Sequence, residues 1–429
     1  MSKDPFVIQN LYDAIRTEDI QSLVEILSLH PHLINFKLFY GDTLIHEAAS
    51  SGKSLVIEEL VRRGSVDLDT PDKHGITPML MATRHGHVSV IETLVRSGSQ
   101  AIDIADNDGK TPMYVAVDKG YVSVIETLVR LGSTAIDTPD NEGMTPLSVA
   151  AENDRVSTIE ILMQFGSQAI DTPDPSGWTP MLLAAQAGHA SVIEILVQLG
   201  SKTIDTPNNH RMTPMSAAAW NGHTLVIETL SRLGSTAVDV LDNRGNTAII
   251  AAACGGHTST IETLVRLGST ALNVSNNEGW TPMHAAARNG HPSTIETLVR
   301  LGSTTINTPT LGGWTPMIAA AQHGNVSAIE TLVRLGSAIM DTLDKFYWPP
   351  IPRTPRSGYR DCVKTLNSLG ANFPTYLSSD ALLQSSEDES AELRYRIYFN
   401  RSLVERLLLE LEVHDSQAKK NSAKSRRLG

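Results

Sequence analysis

The stretch Asn276–Thr308, NNEGWTPMHAAARNGHPSTIETLVRLGSTTINT, decides the fold. Thr281 followed by Pro282 reads as a helix start. The threonine is the N-cap, and the proline fills the first helical position, where a missing N–H costs nothing. Met283, Ala285, Ala286 and Ala287 make a short helix of small residues that can pack closely. Asn289 and Gly290 end it, the glycine taking the left-handed conformation. A second helix is expected from Pro292 to Leu301, with Ile295, Leu298 and Val299 as an apolar stripe at helical spacing. Gly302 stops that helix, and an extended turn leads into the next copy.

Working outward, Thr43, Thr77, Thr111, Thr145, Thr179, Thr213, Thr247, Thr281 and Thr315 recur every 34 residues without a slip. A period of this length signals small stacked units, each burying its apolar face only against its neighbours. The ends depart from the pattern. Asn10–Phe36 fits a first, half-degenerate unit. Ala14 stands 34 residues before Ala48, and Ile20, Leu23, Val24, Ile26 and Leu27 supply its second-helix stripe. At the other end Pro350 stands 34 residues after Pro316, but Pro349, Pro350, Pro352 and Pro355 break the first helix of that unit. Only a second helix near Asp361–Leu369 remains. The expected organisation is a capping repeat at 1–42, nine regular repeats at 43–348, a degenerate capping repeat at 349–376 and a tail at 377–429. That makes eleven units in all.

Gly279-Trp280-Thr281-Pro282-Met283-His284-Ala285-Ala286-Ala287-Arg288-Asn289-Gly290-His291 resembles the ankyrin repeat, whose pattern is G-x-T-P-x-H-x-A-A-x-x-G-H. The resemblance covers roughly residues 9 to 376. One departure is regular: an extra residue in the Gly-Ser-x-x-Ile segment lengthens the period beyond the family's usual 33 or so. The resemblance implies an all-α ankyrin-repeat solenoid of helix-turn-helix units with projecting loops. It also implies binding of protein partners through loop tips and the exposed side of the first helix.

The chain of 429 residues carries a net charge of −12. Residues 377–429 hold nine acidic and nine basic residues, so the whole excess lies in the array. An acidic array repels phosphate, and nucleic acid is not an expected ligand. The two cysteines, Cys254 and Cys362, make no disulfide framework and fit a reducing compartment. A cytoplasmic location is expected, with the nucleus or delivery into a host cell as alternatives. No run of 18 apolar residues occurs, so no membrane span is expected.

No residue set suggests catalysis, a cofactor or a metal. His87, His189, His223, His257 and His291 share one repeat position but sit in separate layers about 10 Å apart, too far to share an ion. Structural hydrogen bonding is their expected role. Glu and Arg recur four apart in the second helices (Glu92/Arg96, Glu126/Arg130, Glu262/Arg266, Glu296/Arg300, Glu330/Arg334), which reads as i,i+4 pairing on a solvated face.

With the repeated residues assigned to architecture, function falls to the positions that vary. Matching the family's contact positions onto this chain gives the residue before each Thr, the two residues two and three before that, and the two residues before each Gly-His. All five tryptophans lie there: Trp178, Trp220, Trp280, Trp314 and Trp348. Tryptophan is over-represented at interface hot spots. The competing reading is that a Trp before Thr packs on the next loop and stiffens the array. Trp220, on the first helix, is expected to centre a partner site with Trp178, Met212 and Asn221, and Arg288 belongs to the same series. The expected function is a non-catalytic scaffold for protein–protein interaction. The alternative is an adaptor that couples a held partner to other machinery, such as a ubiquitin ligase or a host factor, through the tail. That tail has an acidic spacer (Ser385–Glu389), an amphipathic stretch (Leu393, Ile397, Val404, Leu407, Leu408, Leu411) and basic residues from Lys419 to Arg427. The array itself is expected to be monomeric. The tail helix is expected to dock on the last repeat, with partner binding or dimerisation as its alternative.

Overall fold

All nine recurring threonines cap a helix. Each is extended in backbone, buried to 4 % exposure or less, and accepts from the amide three residues on, as in Thr77 Oγ1 with Leu80 N at 3.2 Å. A cap of this kind contributes about 1 kcal/mol per helix. The structure is a computed structural model that describes residues 5–37, 40–66, 68–337, 365, 368 and 369. The described residues contain twenty α-helices and no strand. Trp348, the proline-rich break and the tail calls lie outside the described residues.

The chain divides into two compact units, Met1–Ala271 and Leu272–Gly429. Within the first, the short helices from Leu44–Ser50 to Ala248–Gly255 pack on one another in series. The second helices from Ser54–Arg62 to Thr258–Arg266 form a parallel row. The second unit repeats this arrangement, pairing Pro282–Arg288 with Pro316–Gln322 and Pro292–Arg300 with Val326–Arg334. Alanines let the first helices approach closely: Ala285, Ala286 and Ala287 are at most 6 % exposed. The second helices bury the expected Ile295 and Leu298, while Val299 is only half-buried. Thr294 and Thr297 complete the buried face instead.

Three further features differ from the sequence reading. The N-terminal helix starts at Pro5, ahead of the pattern that begins at Asn10 but within the expected capping repeat, and runs to Thr17. The turn after the second helix is not simply extended. In most copies it closes a short 3-10 turn, as at Ala101–Asp103 and Ala135–Asp137. The aspartate ending that turn then accepts from the next repeat. Asp137 takes Ser167 Oγ and the Gln168 N–H, the latter at 2.8 Å. Finally, while Arg62 pairs with Glu59 of its own helix, four of the expected arginines pair across repeats instead. Arg96, Arg130 and Arg266 reach Glu58, Glu92 and Glu228 of the preceding repeat in the first unit, and Arg334 reaches Glu296 in the second. The second-helix charge row is therefore an inter-repeat clamp. Being exposed, each pair adds only about 0.2–1 kcal/mol.

Candidate functional site

Each projecting loop is organised by one side-chain acceptor. In the repeat at 174–178, Asp174 Oδ1 accepts from Ser176 N at 2.9 Å and Trp178 N at 2.7 Å. Asp72, Asp106, Asp140 and Asp242 do the same in their copies. These bonds fix the residue before the threonine, so Trp178 and Met212 are held at set positions along the loop edge. Successive tips are joined by amides, as in Asn209 N to Ser176 O at 3.1 Å and Asn243 N to His210 O at 3.0 Å.

Two concavities open beside these loops in the first unit. One, of about 330 Å³, is lined by Trp178, Asn208, Met212, Trp220 and Arg244 among others. Trp220 stands 50 % exposed on its helix, Pro214–Asn221, and neither its ring nor that of Trp178 has a ring or hydrogen-bond partner among the described residues. The other, of about 560 Å³, shares Trp178 as a wall. Asp108, Asp140, Glu142, Glu152 and Asp174 face it, against the single cation Lys110. Tyr114 lies in it as well, donating to Asp140 Oδ2 at 2.7 Å. Burial, then that bond, holds its phenol above the usual pKa.

Asn208 breaks the aspartate column. Its Oδ1 accepts from His210 N at 2.9 Å and Met212 N at 3.0 Å, which fixes which way the amide faces. Its Nδ2 is closed to solvent and has no hydrogen-bond partner among the described residues. The corresponding outer atom is an acceptor elsewhere. Asp140 Oδ2 takes Tyr114, Asp106 Oδ2 takes Arg84 at 3.2 Å, and Asp242 Oδ2 takes Asn246 Nδ2 at 2.9 Å. Leu182 occupies the register of Tyr114 and offers Asn208 nothing. An unsatisfied buried donor costs about 1–3 kcal/mol. The aspartate column flags Asn208 together with Asn276 and Thr310, and only the surroundings in the fold set Asn208 apart, so the tryptophan register alone did not reveal it.

The remaining predicted residues separate into different surroundings. Asn221 is exposed and bonds back to Ala217 O at 3.1 Å, and it does not line the Trp220 concavity. In the second unit Trp280 packs edge-on to His284 (5.6 Å) and against Trp314 (6.1 Å), and the Arg288 guanidinium lies 5.2 Å over its face. That packing fits the stiffening role. His284 anchors it: Nδ1 accepts from Thr281 N–H at 3.3 Å and Nε2 donates to Trp314 O at 2.8 Å. Burial pushes its pKa down to about 4, because the bonding pattern uses the neutral ring. The Gly-His histidines bond as expected. His87, His189 and His223 Nε2 donate to the carbonyls of Ser50, Glu152 and Gln186 at 2.9–3.0 Å. No helix among the described residues is long and apolar enough to cross a membrane.

Comparison with known families bears on these features. The model described as ankyrin repeats (3 copies) matches residues 11–108, 98–173, 164–239 and 226–310, and the single ankyrin repeat model matches 312–345. The chain belongs to the ankyrin repeat family. Members of this family generally serve as protein–protein interaction modules and are typically non-catalytic. Among solved structures, the crystal structure of the human ASB11 ankyrin repeat domain is similar at 23 % identity and a TM-score of 0.47. The match covers 53 % of this chain and 99 % of that one. A search of curated proteins returned no match.

Proposed function

We propose that this ankyrin repeat protein is a non-catalytic interaction scaffold of the cytoplasm that holds a protein partner on its loop tips and first-helix face, centred on Trp220. One observation carries the reading. Trp178, Met212 and Trp220, 42 residues apart from first to last, meet at one concavity, and the Trp220 ring is half exposed without a partner. A large aromatic left open in a concave wall is the arrangement expected of a hot spot. The excess of negative charge in the array supports a protein partner over a nucleic acid.

The test compares Trp220→Ala with Trp280→Ala. For Trp220→Ala we expect an unchanged melting temperature and loss of the proteins retained from a lysate of the source cell. For Trp280→Ala we expect a lower melting temperature, because its ring is packed between His284 and Trp314. Retention of the same proteins by Trp220→Ala would remove Trp220 from the site.

A further inference from the structure

The two concavities that share Trp178 differ in chemistry, and the difference describes a ligand. The Trp178–Trp220 concavity offers aromatic walls, Met212 and one buried donor, Asn208 Nδ2, that nothing in the fold accepts. Its two lining charges, Asp242 and Arg244, balance. With no net charge in the lining to favour a carboxylate, a neutral acceptor such as a carbonyl suffices for Asn208. The neighbouring concavity sets five carboxylates against one lysine.

We propose that the Trp178–Trp220 concavity takes a large apolar side chain of an extended peptide segment, with Asn208 Nδ2 donating to a backbone carbonyl of that segment. A Lys or Arg of the same segment enters the acidic concavity on the other side of Trp178. The proposal rests on the scaffold reading above and names the partner's chemistry. The concavities are centred about two repeats apart, near the loops at 140 and 208, which is about 20 Å. An extended chain rises about 3.3 Å per residue, so the basic and apolar side chains stand about six residues apart.

The probe is an array of synthetic twelve-residue peptides carrying one Lys and one Leu or Trp at every spacing, with a matched set in which Glu replaces Lys, incubated with the full chain. We expect binding to peak at spacings of about five to seven and to be lost in the Glu set. Affinity for the best peptide then separates the parts. Asn208→Asp keeps the loop acceptor used by Asp72, Asp106, Asp140, Asp174 and Asp242, so it should fold, and its far-ultraviolet circular dichroism at the assay temperature checks that it does. It removes the donor and should weaken binding at least tenfold. Glu142→Gln combined with Glu152→Gln leaves three carboxylates against Lys110 and should weaken the preference for Lys over a neutral residue. Unchanged affinity in Asn208→Asp overturns the donor assignment, and a spacing-independent array overturns the two-cavity ligand. If no peptide binds but Trp220→Ala still loses its lysate partner, the peptide proposal fails and the scaffold reading survives.

Discussion

Arg211 occupies a position where eight other copies carry glycine, and its replacement tests how the loops are built. Its φ is +60°, while Gly41, Gly75, Gly109, Gly143, Gly177, Gly245, Gly279 and Gly313 lie between +78° and +89°. Holding an L-residue left-handed costs about 1–2 kcal/mol. Glycine returns roughly 0.5–1 kcal/mol of that as unfolded-state entropy. Arg211→Gly should therefore stabilise the loop by about 0.5–1 kcal/mol. The reciprocal change is harsher. A Cβ on Gly177 would stand 2.8 Å from Asn209 N and 3.0 Å from the Asn208 Cα, at φ +85°. Gly177→Ala should cost about 1–3 kcal/mol. Because repeat arrays need not unfold in one step, the assay is local: hydrogen exchange of the Asn243 amide, which bonds His210 O beside Arg211. Protection should rise about twofold to fivefold in Arg211→Gly. Protection of the Asn209 amide, bonded to Ser176 O, should fall in Gly177→Ala. Unchanged or reduced protection in Arg211→Gly would refute the conformational argument.

Other consequences follow from named contacts. An unfolded chain protonates His284 near pH 6.5 but the fold only near 4, so stability should fall as pH drops through that window, by about 3 kcal/mol in all. Urea midpoints at pH 7 and pH 4.5 should show a drop that is smaller in His284→Gln. Asp137→Ala leaves Ser167 Oγ and the Gln168 amide without their partner and should cost about 1–3 kcal/mol in urea unfolding. Asp137→Asn should cost less, because Asn273 and Asn307 hold Ser303 and Ser337 at 2.9 Å in two natural copies. Arg130→Ala, which removes an exposed pair with Glu92, should cost under about 1 kcal/mol by the same measurement and nothing in 1 M salt.

The helices were legible because their signals are local. A hydroxyl before a proline, a run of alanines and a glycine each act within one turn of the residues they order. The partners of the second-helix arginines were not legible for a reason built into the repeat. The glutamate before Arg130 in its own helix and the glutamate it actually meets, Glu92, differ by one period, so the sequence spells both pairings with the same letters. Only the stacking of layers selects between them. The buried Thr294 and Thr297 were hidden by their polarity, although a short side chain fits where the second helices pack closely. The site was legible in part. Outward register found Trp178, Met212 and Trp220, but Asn221 lies on the exposed end of the same helix and bonds back to Ala217 instead.

The same period suggests where function was fitted into the array. In the first unit, three residues break their loop columns at a local cost: Pro175 in the asparagine column, Asn208 in the aspartate column and Arg211 in the glycine column. Lys73, also outside the asparagine column, keeps the tip-to-tip amide bond, to Tyr40 O at 2.8 Å. Each break loosens a local rule. Pro175 has no amide to join to the preceding tip, Asn208 leaves a donor unmet, and Arg211 sits left-handed. All three fall in the two loops that supply Trp178 and Met212 to the Trp220 concavity. Architectural residues gain nothing from such departures, because the neighbouring copies at 140 and 242 keep the aspartate, the asparagine amide and the glycine. Local inconsistency of this kind collects where a protein gives up stability for a contact. The clustering of the breaks around one concavity therefore supports the same site as the exposed tryptophan, and it does so from residues whose chemistry is independent of that ring.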